Sequence, residues 1–155
     1  MNLSEVAIYV ESQNEVEFIR PCKDYLDYFG IHFEQRVVSA LQEHNVFCEM
    51  ARRDMDKGIK IFITAGTINS SMAQLMSAIS FLPVIHIPLP ALPVSYDEVN
   101  GFISPFPEGI SVAMMSVGPS GAKNAAVLAA QMLSINDKRI QERVRFFKQN
   151  GCRFS

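Results

Sequence analysis

The sequence contains no tryptophan, only three cysteines in 155 residues, and no excess of positive charge. Its 14 Lys and Arg residues stand against 16 Asp and Glu residues, so it lacks the basic field typical of nucleic acid binding. No apolar run approaches the about 20 residues that span a bilayer, and the amino terminus lacks the basic start of a secretion signal. These absences predict no nucleic acid partner, no membrane partner and a cytoplasmic location.

The cysteines Cys22, Cys48 and Cys152 are widely spaced and form no CxxC pair. Three cysteines cannot form a closed set of disulfides, which favours a reduced environment. We expect Cys22 and Cys48 to fill the core and Cys152 to lie in a loose tail. No His, Cys and carboxylate residues have the spacing of metal ligands, so we predict no metal and no cofactor.

One domain is predicted over residues 1–155, with a core over about 5–149 and a short C-terminal tail. Strand and helix patterns alternate along it, and strands separated by helices pair in parallel. The pattern therefore predicts an α/β fold, a three-layer α/β/α sandwich around a parallel sheet. The predicted strands cover 5–10, 32–38, 60–65, 84–87 and 111–117. The predicted helices cover 15–29, 45–57, 70–81 and 96–103, followed by an alanine-rich helix after the turn at 118–121 and a last helix from near 137.

Residues 112–133 change from a strand to an alanine-rich helix at a glycine-bounded turn, 118–121. Glycine allows the turn, and Ser120 can cap the start of the helix. Because small side chains let other backbones approach closely, we expect this helix to pack within the subunit and between subunits. The small residues are Ala122, Ala125, Ala126, Ala129 and Ala130.

Parallel α/β sheets bind ligands beyond the carboxyl ends of their strands, where the strand order reverses. Three polar loops follow predicted strands at that edge. We call them the first loop (11–15), the second loop (39–44) and the third loop (66–71). Together they form the predicted binding site.

Five segments, in order, read ESQNE (11–15), QRVVSALQ (35–42), LPVIHIPL (82–89), FPEGISVA (106–113) and GPSGAKNAAVLAAQML (118–133). They resemble the GSxSD, VRVVSAHR, LPVIGVPV, MPGGVPVA and GNAGAANAGLLAAQIL segments of the phosphoribosylaminoimidazole carboxylase family. That family includes the bacterial carboxyaminoimidazole ribonucleotide mutases of purine synthesis. The resemblance runs over roughly residues 5–149.

The resemblance implies a flavodoxin-like sheet, an octamer with the alanine-rich helices near its centre, and a ribonucleotide as the small-molecule partner. The implied reaction moves carboxylate on an aminoimidazole ribonucleotide, as a carboxylase (lyase) or a mutase (isomerase). By position, Ser12 would bind phosphate or ribose, and Glu15 would replace a ribose-binding aspartate. The other implied site residues are Asn14, Ser39, Ala40, Gln42, Gly66, Thr67 and Ser71, with Pro107 and Gly109 on a loop from a neighbouring subunit.

The sequence departs from the family where the family handles a proton. The histidine of SAHR is Leu41 here, its arginine is Gln42, and the histidine of the family's GAGGAAHLPG loop aligns with Ser71. Losing a general acid lowers the reaction rate by about 10²–10⁴, so we expect the reaction of the family to be slow or absent in this chain. Two hypotheses stay open: a divergent carboxylase or mutase, and a binding or assembly homologue without the chemistry.

Few residues could replace the missing imidazole. His44 lies three positions beyond Leu41 and is the candidate catalytic residue, although a solvent-facing residue in the first turn of a helix is the plainer interpretation. His86 stands inside a strand, and we expect it to be buried, neutral and hydrogen-bonded. Glu11 and Glu15 could act as an acid–base pair, or they could be solvated carboxylates at the mouth of a loop.

Overall fold

Five parallel strands form the sheet, in the order β2–β1–β3–β4–β5. The computed structural model describes residues 3–68, 70–90 and 106–154. This order is the flavodoxin-like one, and it reverses between β1 and β3. The predicted parallel flavodoxin-like sheet is confirmed. Its strands are β1 (Val6–Val10), β2 (Phe33–Val37), β3 (Ile61–Thr67), β4 (Val84–Leu89) and β5 (Ala113–Met114).

Helices cover both faces of the sheet, which gives the predicted three layers. Because side chains alternate along a strand, β1 directs Val6, Ile8 and Val10 to one face and Ala7 and Tyr9 to the other. The first face packs against α1, α4 and α5, and the second against α2 and α3. The helices are α1 (Arg20–Phe29), α2 (His44–Asp56), α3 (Met72–Ile79), α4 (Pro119–Leu133) and α5 (Lys138–Gln149).

The helix predicted over 15–29 is in fact two segments. A 3-10 helix covers Gln13–Ile19, and α1 begins at Arg20 with Pro21 in its first turn. Proline lacks the backbone N–H that a continuous α-helix needs, but it fits the first turn of a helix. The apolar spacing alone could not reveal the change at this proline.

The strand boundaries differ from the prediction at β3, β4 and β5. β3 runs on to include Gly66 and Thr67, which we expected in the third loop, because they pair with Pro88 and Leu89 of an equally extended β4. The strand predicted over 111–117 is only two residues long in the structure. The short helix predicted over 96–103 lies outside the described residues.

The start of α4 corrects the expected cap. Its N-cap is Gly118 at φ +94°, a conformation that favours glycine, and Ser120 lies inside the helix. The five alanines are fully buried within the single chain, as expected for packing within the subunit, and packing of this helix between subunits stays a prediction. Cys22 and Cys48 are buried and Cys152 is exposed, as expected.

Candidate functional site

The three loops meet at the carboxyl edge of the sheet. Val10 at the end of β1 is in register with Val37 of β2 and with Ala65 of β3. The first loop therefore lies between the second and the third, at the point where the strand order reverses. This is where an open α/β sheet binds its ligands.

The first loop folds its own carboxylate back onto its backbone. Oε2 of Glu15 accepts hydrogen bonds from the backbone N–H of Glu11 at 2.9 Å and of Ser12 at 3.3 Å. Ser12 is the N-cap of the 3-10 helix, and Asn14 is exposed. Glu15 thus supplies the acceptor for amides that would otherwise face a ligand at this helix start.

The second loop repeats this arrangement. Oε2 of Glu43 accepts from the backbone N–H of Ser39 at 3.1 Å, and Oγ of Ser39 accepts from the N–H of Gln42 at 3.2 Å. Ala40 is fully buried in the core, whereas the side chain of Leu41 is 70% exposed. The exposed leucine offers no proton to a ligand.

His44 is the first residue of α2, and its ring is engaged locally. Nδ1 lies 3.3 Å from the carbonyl oxygen of Ala40, and Nε2 lies 3.6 Å from Sγ of Cys48. Since the carbonyl only accepts, Nδ1–H donates to it, and the Cys48 thiol donates to Nε2. The ring is therefore directed along its own helix, as a first-turn residue.

The third loop connects to the first through Glu11. The pKa of the Glu11 carboxyl is raised above its usual range, mainly by burial and to a smaller extent by the charge of Glu15. A hydrogen bond from the Ser70 hydroxyl opposes this shift. The N–H of Ser70 donates to the carbonyl of Thr67 at 2.9 Å. Oγ of Ser71 is buried and has no hydrogen-bond partner among the described residues.

His86 lies beneath this loop, 1% exposed. Its Nε2–H donates to the carbonyl of Thr67 at 3.3 Å, so Nδ1 accepts from the Thr64 hydroxyl at 2.8 Å. Burial lowers the pKa of His86, and the hydrogen bond to Thr67 only partly opposes this. The expected burial and hydrogen bonding of His86 are confirmed, and the lowered pKa favours its neutral form.

Pro107 and Gly109 form an exposed turn. The N–H of Ile110 donates to the Pro107 carbonyl at 3.0 Å, and Gly109 has φ +86°. Over residues 3–68, 70–90 and 106–154, the hydrogen bonds that connect the three loops include neither Pro107 nor Gly109.

Within the part of the chain that the structure describes, no group of three or more His, Cys, Asp or Glu residues could hold a metal ion. No helix among the described residues has the length and apolar character needed to cross a membrane.

The AIR carboxylase family matches residues 5–152, nearly the whole chain. The chain belongs to the AIR carboxylase family. The N5-carboxyaminoimidazole ribonucleotide mutase of Saccharolobus solfataricus is 30% identical over 148 residues, which are 96% of this chain and 92% of the relative. The mutase of the same name from Vibrio vulnificus is 29% identical over 144 residues, 93% of this chain and 89% of the relative.

The AIR carboxylase family fold is also seen in a solved structure. The crystal structure of PurE from Treponema denticola matches this chain with a TM-score of 0.83 at 24% identity, covering 95% of this chain and 90% of that one. This likeness shows the fold, while the sequence comparisons confirm the predicted assignment to the purine-synthesis family.

Sequence reasoning underrates two residues of these loops. It treats Glu11 only as one member of an acid–base pair with Glu15, and it misses Glu43. Spacing offers a signal only in the first loop, where Glu15 stands three residues after Ser12, as in a capping box. Glu43 stands four residues after Ser39, so this pattern does not reveal it.

Proposed function

We propose that this chain binds an aminoimidazole riboside or ribonucleotide at the carboxyl edge of its sheet, without transferring carboxylate at the rate of an ordinary enzyme. The ligand class comes from the name of its relatives, the N5-carboxyaminoimidazole ribonucleotide mutases. The single observation that carries the loss of catalysis is Leu41, exposed at the position of the family's SAHR histidine. Moving carboxylate on an imidazole carbon needs a group that exchanges a proton near neutrality, and an aliphatic side chain has none.

The three histidines of the chain do not replace the missing one. His44 is hydrogen-bonded along its own helix, and His86 is buried with both ring nitrogens in hydrogen bonds. His32 precedes β2, so it lies at the opposite edge of the sheet from the three loops. Replacement by these imidazoles would require the rings to leave their present partners.

A divergent carboxylase or mutase is the second candidate, and the observation that favours it is the environment of Glu11. A carboxyl whose pKa is raised by burial and by a neighbouring carboxylate can hold a proton closer to neutrality than an ordinary glutamate. If the chain is active, Glu11 is the group that we expect to handle the proton.

The test is an ultraviolet absorbance assay with carboxyaminoimidazole ribonucleotide, which follows isomerisation and decarboxylation. We expect no measurable turnover from the wild-type chain and a gain in Leu41→His, whereas Leu41→Gln, which has no titrating group, stays inactive. Thermal stabilisation by an aminoimidazole riboside or ribonucleotide measures binding separately. Wild-type turnover of about 1 s⁻¹ or more, lost in Glu11→Gln, would favour the second candidate.

The proposal includes assembly into an octamer in the cytoplasm, as the family resemblance implies. Five large apolar side chains support self-association because each is more than 60% exposed in the single chain: Leu3, Leu41, Phe81, Ile135 and Phe146. Size-exclusion chromatography with light scattering measures the mass, and a monomer at micromolar concentration contradicts this part of the proposal.

A further inference from the structure

We propose that the three loops select an unphosphorylated aminoimidazole riboside over the corresponding ribonucleotide, because glutamate carboxylates already occupy the places where a phosphate group would bind. This inference rests on the proposed function, since it names the form of ligand that the same site takes. It depends on the charge of the loops, on the hydrogen bonds of their backbone amides and on the partners of the neighbouring cations.

The loops carry negative charge without compensation from their own residues. The first loop contains Glu11 and Glu15, the second loop contains Glu43, and the third loop contains no charged residue. None of the three loops contains lysine or arginine. By position in the resemblance, Glu11 stands where the family has a glycine, and Gln42 stands where it has an arginine. A phosphate monoester carries a charge of about −1.5 to −2 near pH 7, so like charges would meet at this edge.

The backbone amides that could bind an anion already have an anionic partner. At the start of a helix, phosphate is held by N–H groups of the preceding loop. Here the N–H groups of Glu11 and Ser12 donate to Glu15, and the N–H of Ser39 donates to Glu43. In the first loop and in the second loop, a bound phosphate would have to displace a carboxylate of the same sign of charge.

Two cations, Arg36 and Lys123, already have partners of their own. The guanidinium of Arg36, near the end of β2, contacts Asp54 at 2.8 Å and Glu34 at 3.2 Å. Nζ of Lys123, in the first turns of α4, lies 5.9 Å from the centre of the Tyr25 ring on α1. Neither positive group is directed to the loops by its present contacts.

A neutral riboside fits the same groups. The loops offer carboxylate acceptors, and the sugar hydroxyls and ring amine of an aminoimidazole riboside are donors. Ser71 adds a buried hydroxyl without a partner among the described residues. An unsatisfied buried hydroxyl in a polar loop gains a hydrogen bond when a polar ligand binds.

The experiment compares aminoimidazole carboxamide riboside with its 5′-monophosphate, which differ only in the phosphate, by isothermal titration against the full chain. We expect the riboside to bind at least about tenfold more tightly than the monophosphate. A tenfold ratio of affinities corresponds to about 1.4 kcal/mol of binding free energy. Glu15→Gln combined with Glu11→Gln keeps the side-chain oxygens that accept hydrogen bonds but removes the charges, and it should raise the affinity for the monophosphate. Glu142→Gln is the matched control, because Glu142 is exposed on α5 next to Arg143, which donates to the end of α1 at the opposite edge.

A second measurement does not depend on the variants folding. In the wild-type chain, raising the salt concentration screens repulsion, so it should tighten binding of the monophosphate and leave the riboside nearly unchanged. If the monophosphate binds as tightly as the riboside or more tightly, or weakens with salt, the inference is wrong and the proposed function stands. If neither compound binds, the proposed function itself fails.

Discussion

His86→Ala is expected to lower the free energy of unfolding by about 3–5 kcal/mol, a large effect for one residue. His86 connects β4 to β3 through the Thr64 hydroxyl at 2.8 Å and the Thr67 carbonyl at 3.3 Å. The substitution removes both hydrogen bonds and leaves space where the ring packed. It tests whether the histidine holds the third loop in place.

The magnitude follows from the two partners. Thr64 is fully buried, so its unpaired hydroxyl costs about 1–3 kcal/mol, while the exposed Thr67 can turn to water. The lost ring packing adds about 2 kcal/mol. Because Thr64→Val removes the stranded hydroxyl, the double variant should be less destabilised than the sum of the single variants by about 1–2 kcal/mol.

The destabilisation caused by His86→Ala should also depend on pH. Burial lowers the pKa of His86 below its ordinary 6.5, so the unfolded chain takes up the proton first as the pH falls. The stability from the neutral ring is complete above pH 6.5 and is lost below it. The raised pKa of Glu11 acts in the opposite direction, because its contribution to folding stability is lost as the pH rises. Glu11 is present in both wild type and His86→Ala, so this contribution cancels in the difference between them.

Urea unfolding followed by circular dichroism, at several values between pH 7.5 and pH 5, measures both effects. The difference in stability between wild type and His86→Ala should be largest at pH 7.5 and should shrink toward pH 5. A loss below about 1 kcal/mol at pH 7.5, or a difference that grows as the pH falls, would refute the account of His86 as a neutral structural connection.

Three further substitutions test other parts of the fold. Asp54→Ala leaves the Arg36 guanidinium without its buried partner, and we expect a loss of about 2–4 kcal/mol in urea unfolding; a loss under 1 kcal/mol contradicts this. Gly121→Ala places Cβ well inside van der Waals contact with the Ser116 carbonyl oxygen, so we expect little folded protein, and a melting temperature near that of wild type would be the contrary result. Asp137→Ala removes the N-cap of α5 and should cost about 1 kcal/mol in the same unfolding assay, whereas no change would mean that water replaces the cap.

The fold could be predicted because the patterns that indicate its strands and helices are contained in short stretches of sequence. Alternating strand and helix patterns need only short windows of sequence, and the parallel sheet follows from the helices between strands. The end of β3 was not predictable in this way. Glycine and threonine at 66 and 67 look like a loop by composition, but pairing with β4, some twenty residues later in the chain, keeps them in the sheet.

For the candidate site, the sequence could predict that the three loops lie together, but it could not predict the contacts of their side chains. The alternation of strands and helices is enough to locate the three loops at the carboxyl edge, because ligands bind where strand order reverses. The direction in which Glu15 and Glu43 fold back depends on the loop backbone, which composition does not specify. The hydrogen bond between His86 and Thr64 could not be predicted from local sequence either, because the two residues lie 22 positions apart in the chain.

Fold and activity can separate in this chain because different residues maintain them. The two cores on either side of the sheet are built from strand and helix residues, and replacing an exposed side chain such as Leu41 leaves those contacts unchanged. A relative can therefore be 30% identical over 96% of the chain while the second loop has no imidazole at the position where the family carries its histidine. Overall identity therefore does not identify the ligand, which must be argued from the loop carboxylates and from the backbone amides that donate to them.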